Sequence, residues 1–156
     1  MEVTNNYKDV NDINRNASSY IKLLEINSVE IGISKDRNWV FTKGKNVYEF
    51  INHRQSEFIL WLPILETPYL SFLSTVNTAL KDMQLNSNLV ESFPITQILA
   101  TALRSDSEYW VKLALNWCDD IDDLRNQAED LVHIMKNEKY SQQVRHHAKR
   151  LMKKTR

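Results

Sequence analysis

The chain has 156 residues, a length that suits one domain and allows a buried core without disulfides. Apolar residues make up 42% and charged residues 26%, so disorder is excluded for most of the chain. Lys and Arg total 20 and so do Asp and Glu, which excludes a chain-wide basic field for nucleic acid but not a local basic patch. We therefore expect a single domain over residues 1–156, with residues 1–6 frayed.

Glycine is scarce, since the chain holds only Gly32 and Gly44. Neither the dinucleotide-binding nor the P-loop glycine motif occurs, which disfavours folds that cradle phosphates in a Gly-rich loop. An all-β sandwich would also need more turn glycines and prolines. The composition predicts a mainly α, single-domain helical bundle or short array of α-hairpins.

One small β-structure is expected in the N-terminal half. Apolar residues at three- and four-residue spacing predict a helix over 7–24. Apolar and polar residues then alternate over 29–34, and a second β-prone run begins at Trp39 after a polar turn. The pattern predicts one small β-hairpin near residues 29–42, which must lean on helices because isolated hairpins are marginal.

Capping signals divide the rest of the chain into helices. Asn46 is a candidate cap for a helix that ends at Pro63, and Thr67 with Pro68 predicts the start of the next one. Residues 94–154 form the C-terminal half, where four short helices are expected as α-hairpins. The helix that follows the candidate cap Ser107 is apolar nearly all round, so we expect a set of large side chains there to be buried. These are Trp110, Leu113 and Trp117.

Two stretches of the C-terminal half resemble helices of HEAT-like α-hairpin repeats. They are SEYWVKLALNWC, from Ser107 to Cys118, and YSQQVRHHAKRLMKK, from Tyr140 to Lys154. The resemblance extends over about residues 94–154, under half of the chain. It implies a scaffold that binds other macromolecules along a helical face, and it implies no catalytic residue.

Charge is segregated along this half. Residues 119–138 carry seven acids against Arg125 and Lys136, whereas residues 139–156 carry seven Lys or Arg and no acid. Either block is a candidate partner-binding surface, although pairing between neighbouring helices also accounts for the layout. The preferred set is the acidic turn, which comprises Asp119, Asp120, Asp122 and Asp123. The alternative set is the basic face, which comprises Arg145, Lys149, Arg150 and Lys153.

The motifs for catalysis or metal binding are missing. The spacing of the acidic turn is not that of an EF-hand loop, and adjacent His146 and His147 diverge on a helix, so we expect neither a metal nor a cofactor. Cys118 precedes aspartates, which raise a thiol pKa, so it is expected to be a small buried hydrophobe. We therefore predict that the protein is not an enzyme.

The remaining sequence features bear on the binding partner and on the cellular compartment. The apolar run Phe58–Leu65 is a candidate homodimer patch and is too short to span a bilayer. A polar N-terminal sequence and a single cysteine suggest the cytoplasm. The first hypothesis for function is a non-enzymatic protein-binding module such as a small bacterial inhibitor or toxin-immunity protein, with a toxin or nuclease as its partner. The alternative is a nucleic-acid-associated accessory protein that uses the basic C-terminal helix.

Overall fold

The computed structural model describes residues 20–50 and 59–156. Their contacts divide the chain into two compact units. Among the described residues, the first unit comprises 20–50 and 71–94, and the second comprises 59–70 and 95–156. About 58% of the described chain is helical, and all of the strands belong to one sheet.

The first unit contains a four-stranded antiparallel sheet whose strands are neighbours in chain order. Its strands are β1 (Tyr20–Ile26), β2 (Val29–Ser34), β3 (Trp39–Lys43) and β4 (Asn46–Glu49). The register places Ile33 opposite Trp39, and Phe41 opposite both Ile31 and Tyr48. Aromatic and β-branched cross-strand pairs of this kind stabilise a sheet.

This sheet corrects the predicted fold class. The mainly α prediction is wrong because the expected hairpin near residues 29–42 is only β2–β3, the centre of a larger meander, and the fold is mixed α and β. The helix predicted over 7–24 is wrong from Tyr20 onward, and residues 7–19 lie outside the described chain. Asn46 begins β4 and does not cap a helix.

Strand β1 was predicted as a helix because of its position at the edge of the sheet. β1 is an edge strand, and its register shifts between Lys22 and Leu24. Such an irregularity breaks the two-residue alternation, and an edge strand is less buried than a central one. The spacing of its apolar residues therefore imitates a helix.

The aromatic core of the first unit gathers around Phe93. Its ring lies 4.9 Å from the ring of Trp39, 5.8 Å from that of Phe41 and 5.0 Å from that of Phe72. Phe72 belongs to α1 (Tyr69–Asp82), which starts where Thr67 and Pro68 predict. The indole N–H of Trp39 donates to the Leu89 carbonyl oxygen at 3.1 Å, in a 3-10 helix at Ser87–Ser92.

All of the regular secondary structure described in the second unit is helical. A 3-10 helix at Ile59–Glu66 is followed by four α-helices of the C-terminal half. These are α2 (Ile95–Leu103), α3 (Glu108–Asp119), α4 (Ala128–Lys136) and α5 (Gln142–Leu151), with further 3-10 helices at Arg125–Gln127 and Met152–Thr155. Ser107 and Ser141 cap α3 and α5 through their side-chain oxygens.

Burial in α3 only partly follows the prediction. Trp117 is 1% exposed, as expected. The prediction is wrong for Trp110 and Leu113, which are half-buried. Trp110 lies in the first turn beside Tyr109, which is 54% exposed, so this end of the helix borders solvent. The core of α3 is instead completed by smaller side chains, namely Val111, Ala114, Leu115 and Cys118.

The apolar run proposed as a dimer patch lies inside the second unit. Its 3-10 helix buries the side chains of Trp61, Leu62, Ile64 and Leu65. Pro63 lies within this helix and does not end a helix before it. Phe58 is outside the described residues. Leu60 and Pro63 of the run are half-buried, and a homodimer through this run stays a prediction.

Candidate partner-binding surface

Two polar links join α3 to α5, and the first lies at the start of both helices. The Glu108 carboxylate accepts a hydrogen bond from the Ser141 backbone N–H at 2.6 Å and lies 3.4 Å from the Lys112 ammonium. The backbone N–H of Ser141 is the main reason that the pKa of Glu108 is lowered. A carboxylate near the N-terminus of α5 also complements the helix dipole.

The second link lies at the C-terminus of α3. The Nε2 atom of His147 lies 2.8 Å from Oδ1 of Asp119. The Lys154 ammonium donates to the carbonyl oxygens of Cys118, Asp119 and Ile121, at 3.2, 2.7 and 3.2 Å. Free carbonyls at a helix C-terminus favour a nearby cation, and the Lys154 ammonium supplies one.

The acidic turn is therefore partly used within the chain. Asp119 pairs with His147, and Asp123 binds Arg125 with a shortest distance of 2.5 Å. The side-chain hydrogen bonds from Arg125 lower the pKa of Asp123 to about 2. Asp120 and Asp122 are exposed, and neither forms an ion pair with another described residue. Two of the four carboxylates thus remain available to a partner.

Lys154 gives a direct test of the second link. Lys154→Met is expected to lower the free energy of unfolding by about 2 kcal/mol, since hydrogen bonds from a charged donor contribute about 1.5–3 kcal/mol. Lys153 is exposed and forms no ion pair with a described residue, so Lys153→Met is the matched control and should change stability by less than about 0.5 kcal/mol. Urea unfolding followed by circular dichroism measures both. Equal losses in the two variants would contradict the role assigned to Lys154.

The basic face lies on the side of α5 opposite its buried stripe. Val144, Ala148 and Leu151 are buried at helical spacing. The exposed cations on the opposite side are Lys149 and Arg150, with Lys153 continuing the row in the next 3-10 helix. Arg145 is half-buried on a flank of the helix. Within the described chain, none of these four has an acidic side chain within 4 Å.

A shallow depression of about 210 Å³ lies between α3 and α5. Lys112 and Asn116 line it from α3, and Gln143 and His147 line it from α5. Val144 forms an apolar part of its lining. Sequence reasoning missed this feature, because these side chains form no motif and Gln143 lies about thirty residues from Lys112 and Asn116.

The described residues also include the single cysteine of the chain and the histidines of α4 and α5. Burial, and then the charge of Asp119, raises the pKa of the Cys118 thiol to about 12, as expected for a structural cysteine. Among residues 20–50 and 59–156, no three His, Cys, Asp or Glu side chains gather as metal ligands do. Nor does any helix in these ranges have the length and apolarity needed to cross a bilayer.

Comparison with known proteins adds no assignment. No family model, no curated protein and no solved structure matches the chain. The resemblance to HEAT-like repeats therefore stays a likeness of two helices.

Proposed function

We propose that the protein is a non-enzymatic, cytoplasmic protein-binding module that captures an acidic partner through the basic face of α5. An inhibitor of the toxin-immunity type fits this description, because such a protein needs a specific surface and no chemistry. The observation that carries the proposal is the different use of the basic side chains in α5 and in the 3-10 helix after it. His147 and Lys154 bind groups within the chain, while Lys149, Arg150 and Lys153 face solvent.

The pairing of charges within the chain makes the basic face, and not the acidic turn, the preferred contact surface. Pairing of Asp119 and Asp123 leaves the acidic turn with two available carboxylates. The basic face keeps all of its charges, so it offers the stronger field for steering a complementary partner. The alternative contact surface is the acidic turn, which would bind a basic nuclease. Charge-changing variants distinguish the two surfaces.

A protein partner is favoured over nucleic acid. The exposed carboxylates of Asp120 and Asp122 lie in the turn that Lys154 holds, and Glu129 and Glu138 are exposed on and just after α4. A uniformly charged polyanion would be repelled by these groups, whereas a protein surface with charges of both signs can match them. The basic face also lacks the stacked aromatic residues that single-strand binders use.

Charge-changing variants test the proposal. The products of genes next to its own are purified and their association rates with the wild type are measured at low and high salt. We expect the triple variant Lys149→Gln, Arg150→Gln, Lys153→Gln to bind its partner at least tenfold more slowly at low salt, since such charges act mainly on the on-rate. The control is Asp120→Asn with Asp122→Asn, which removes the two free carboxylates and should change the rate less than twofold.

Other results would contradict binding through the basic face. A loss of binding in the Asn variant alone would make the acidic turn the contact, and no change in either variant would refute the charge argument. Random duplex DNA and single-stranded RNA serve as further probes. Contacts with four phosphates would weaken binding about 100-fold between 50 and 200 mM salt, and a dependence of that size would favour the nucleic-acid function instead.

A further inference from the structure

We propose that the depression between α3 and α5 is an anchor site for one carboxylate side chain of the protein partner. The inference rests on the proposed function, because it assigns the partner's anchoring group. The site consists of Lys112 and Asn116 on α3 and of Gln143 and His147 on α5, around Val144. The paired carboxylates Glu108 and Asp119 belong to its surroundings.

The donor capacity of these side chains matches a carboxylate. Lys112 is half-exposed, and its ammonium has three N–H donors, so its 3.4 Å contact with Glu108 leaves donors for a second anion. The side-chain amides of Asn116 and Gln143 are exposed, and neither forms a hydrogen bond with another described residue. Carboxylate oxygens accept several hydrogen bonds and are the natural complement of such converging N–H groups.

Each of the two neighbouring acids already has a hydrogen-bond partner within the chain. Glu108 is bound to the first backbone N–H of the α5 cap, and Asp119 is bound to one ring nitrogen of His147. His147 is only 15% exposed, so its ring is fixed by packing and by Asp119. The His147 ring is therefore in place before a ligand arrives, so ordering it costs no further side-chain entropy on binding.

Size and position indicate a side chain and not a cofactor. Pockets for small-molecule ligands usually enclose about 300–1,000 Å³, more than the 210 Å³ of this depression. Arg150 follows His147 by three residues and is therefore its neighbour on the surface of α5. The depression thus adjoins the basic face, where a partner steered by charge would need a specific contact to fix its orientation.

Acetate is the probe for this site, since it carries the carboxylate without the partner. Sodium acetate is titrated into the full-length protein at constant ionic strength, with sodium chloride as the reference, while NMR follows the His147 ring and the side-chain amides of Asn116 and Gln143. We expect saturable shifts of these signals. Lys112→Met should weaken the response at least tenfold, and the control Lys136→Met, an exposed lysine on α4, should leave it unchanged.

Two results would overturn the site. These are no shift at the three side chains, or an equal shift in the Lys112→Met variant. The acetate titration needs no partner, so its failure refutes the anchor site alone and leaves the test of the basic face standing. Conversely, the triple Gln variant could associate with the partner at the wild-type rate while acetate still shifts the three side chains. That pair of results would refute the contact through the basic face and leave the depression as a carboxylate-binding site.

Discussion

Trp117→Ala is expected to lower the free energy of unfolding by about 4 kcal/mol. Truncating a buried aromatic residue costs about 3–5 kcal/mol, and Trp117 is 1% exposed. Its indole N–H also donates to the Thr67 carbonyl oxygen at 2.9 Å, and its ring lies 5.1 Å from that of Tyr69. The substitution thus leaves a cavity and removes the hydrogen bond to that carbonyl.

Trp110 supplies the matched control, because it belongs to the same helix and is only half-buried. Trp110→Ala should cost about 2 kcal/mol, roughly half of the value for a fully buried aromatic residue. Urea unfolding followed by far-UV circular dichroism measures both variants, and equal slopes against urea would show that the same surface unfolds. Equal losses at the two tryptophans would contradict the packing of α3 described above.

Gly32→Ala is expected to destabilise the protein by about 3 kcal/mol, because overpacking of this kind costs about 1–3 kcal/mol and occasionally more. A Cβ atom at Gly32 would overlap the carbonyl oxygen of Ile21 on the neighbouring strand. That oxygen belongs to the backbone of β1, so no change of rotamer relieves the overlap. The strands would have to separate next to the register shift at Lys22 and Leu24.

Gly44, the only other glycine, is the control for this prediction. It has a φ of +62° in the turn before β4, and nothing lies within 4 Å of an added Cβ. Gly44→Ala should therefore cost only about 1 kcal/mol, from the left-handed backbone alone. Gly44→Asn should cost less, since asparagine tolerates this conformation. A smaller loss for Gly32→Ala than for Gly44→Ala would contradict the close approach of β1 and β2.

Local signals in the sequence determined the helices of the C-terminal half. The Ser107 and Ser141 caps and the start of α1 after Pro68 were predictable because capping involves residues only a few positions apart. Burial is the larger cause of the raised pKa of Cys118 and depends on packing, but the contribution of Asp119 was predictable because the two residues are adjacent in the chain. The β2–β3 pairing was also foreseeable, because a short turn joins two β-prone runs.

Only the tertiary structure decided the extent of the sheet and the use of each charge. β1 has no regular alternation, so its strand character depends on pairing with β2 and cannot be read from its own residues. Likewise, Asp119 and Lys154 lie 35 positions apart, and folding alone brings the Lys154 ammonium to the end of α3. The sequence alone determines the composition and the order of acidic and basic residues along the chain. Which of these charged side chains stay unpaired, and so available to a partner, depends on contacts between distant segments that form only in the folded chain.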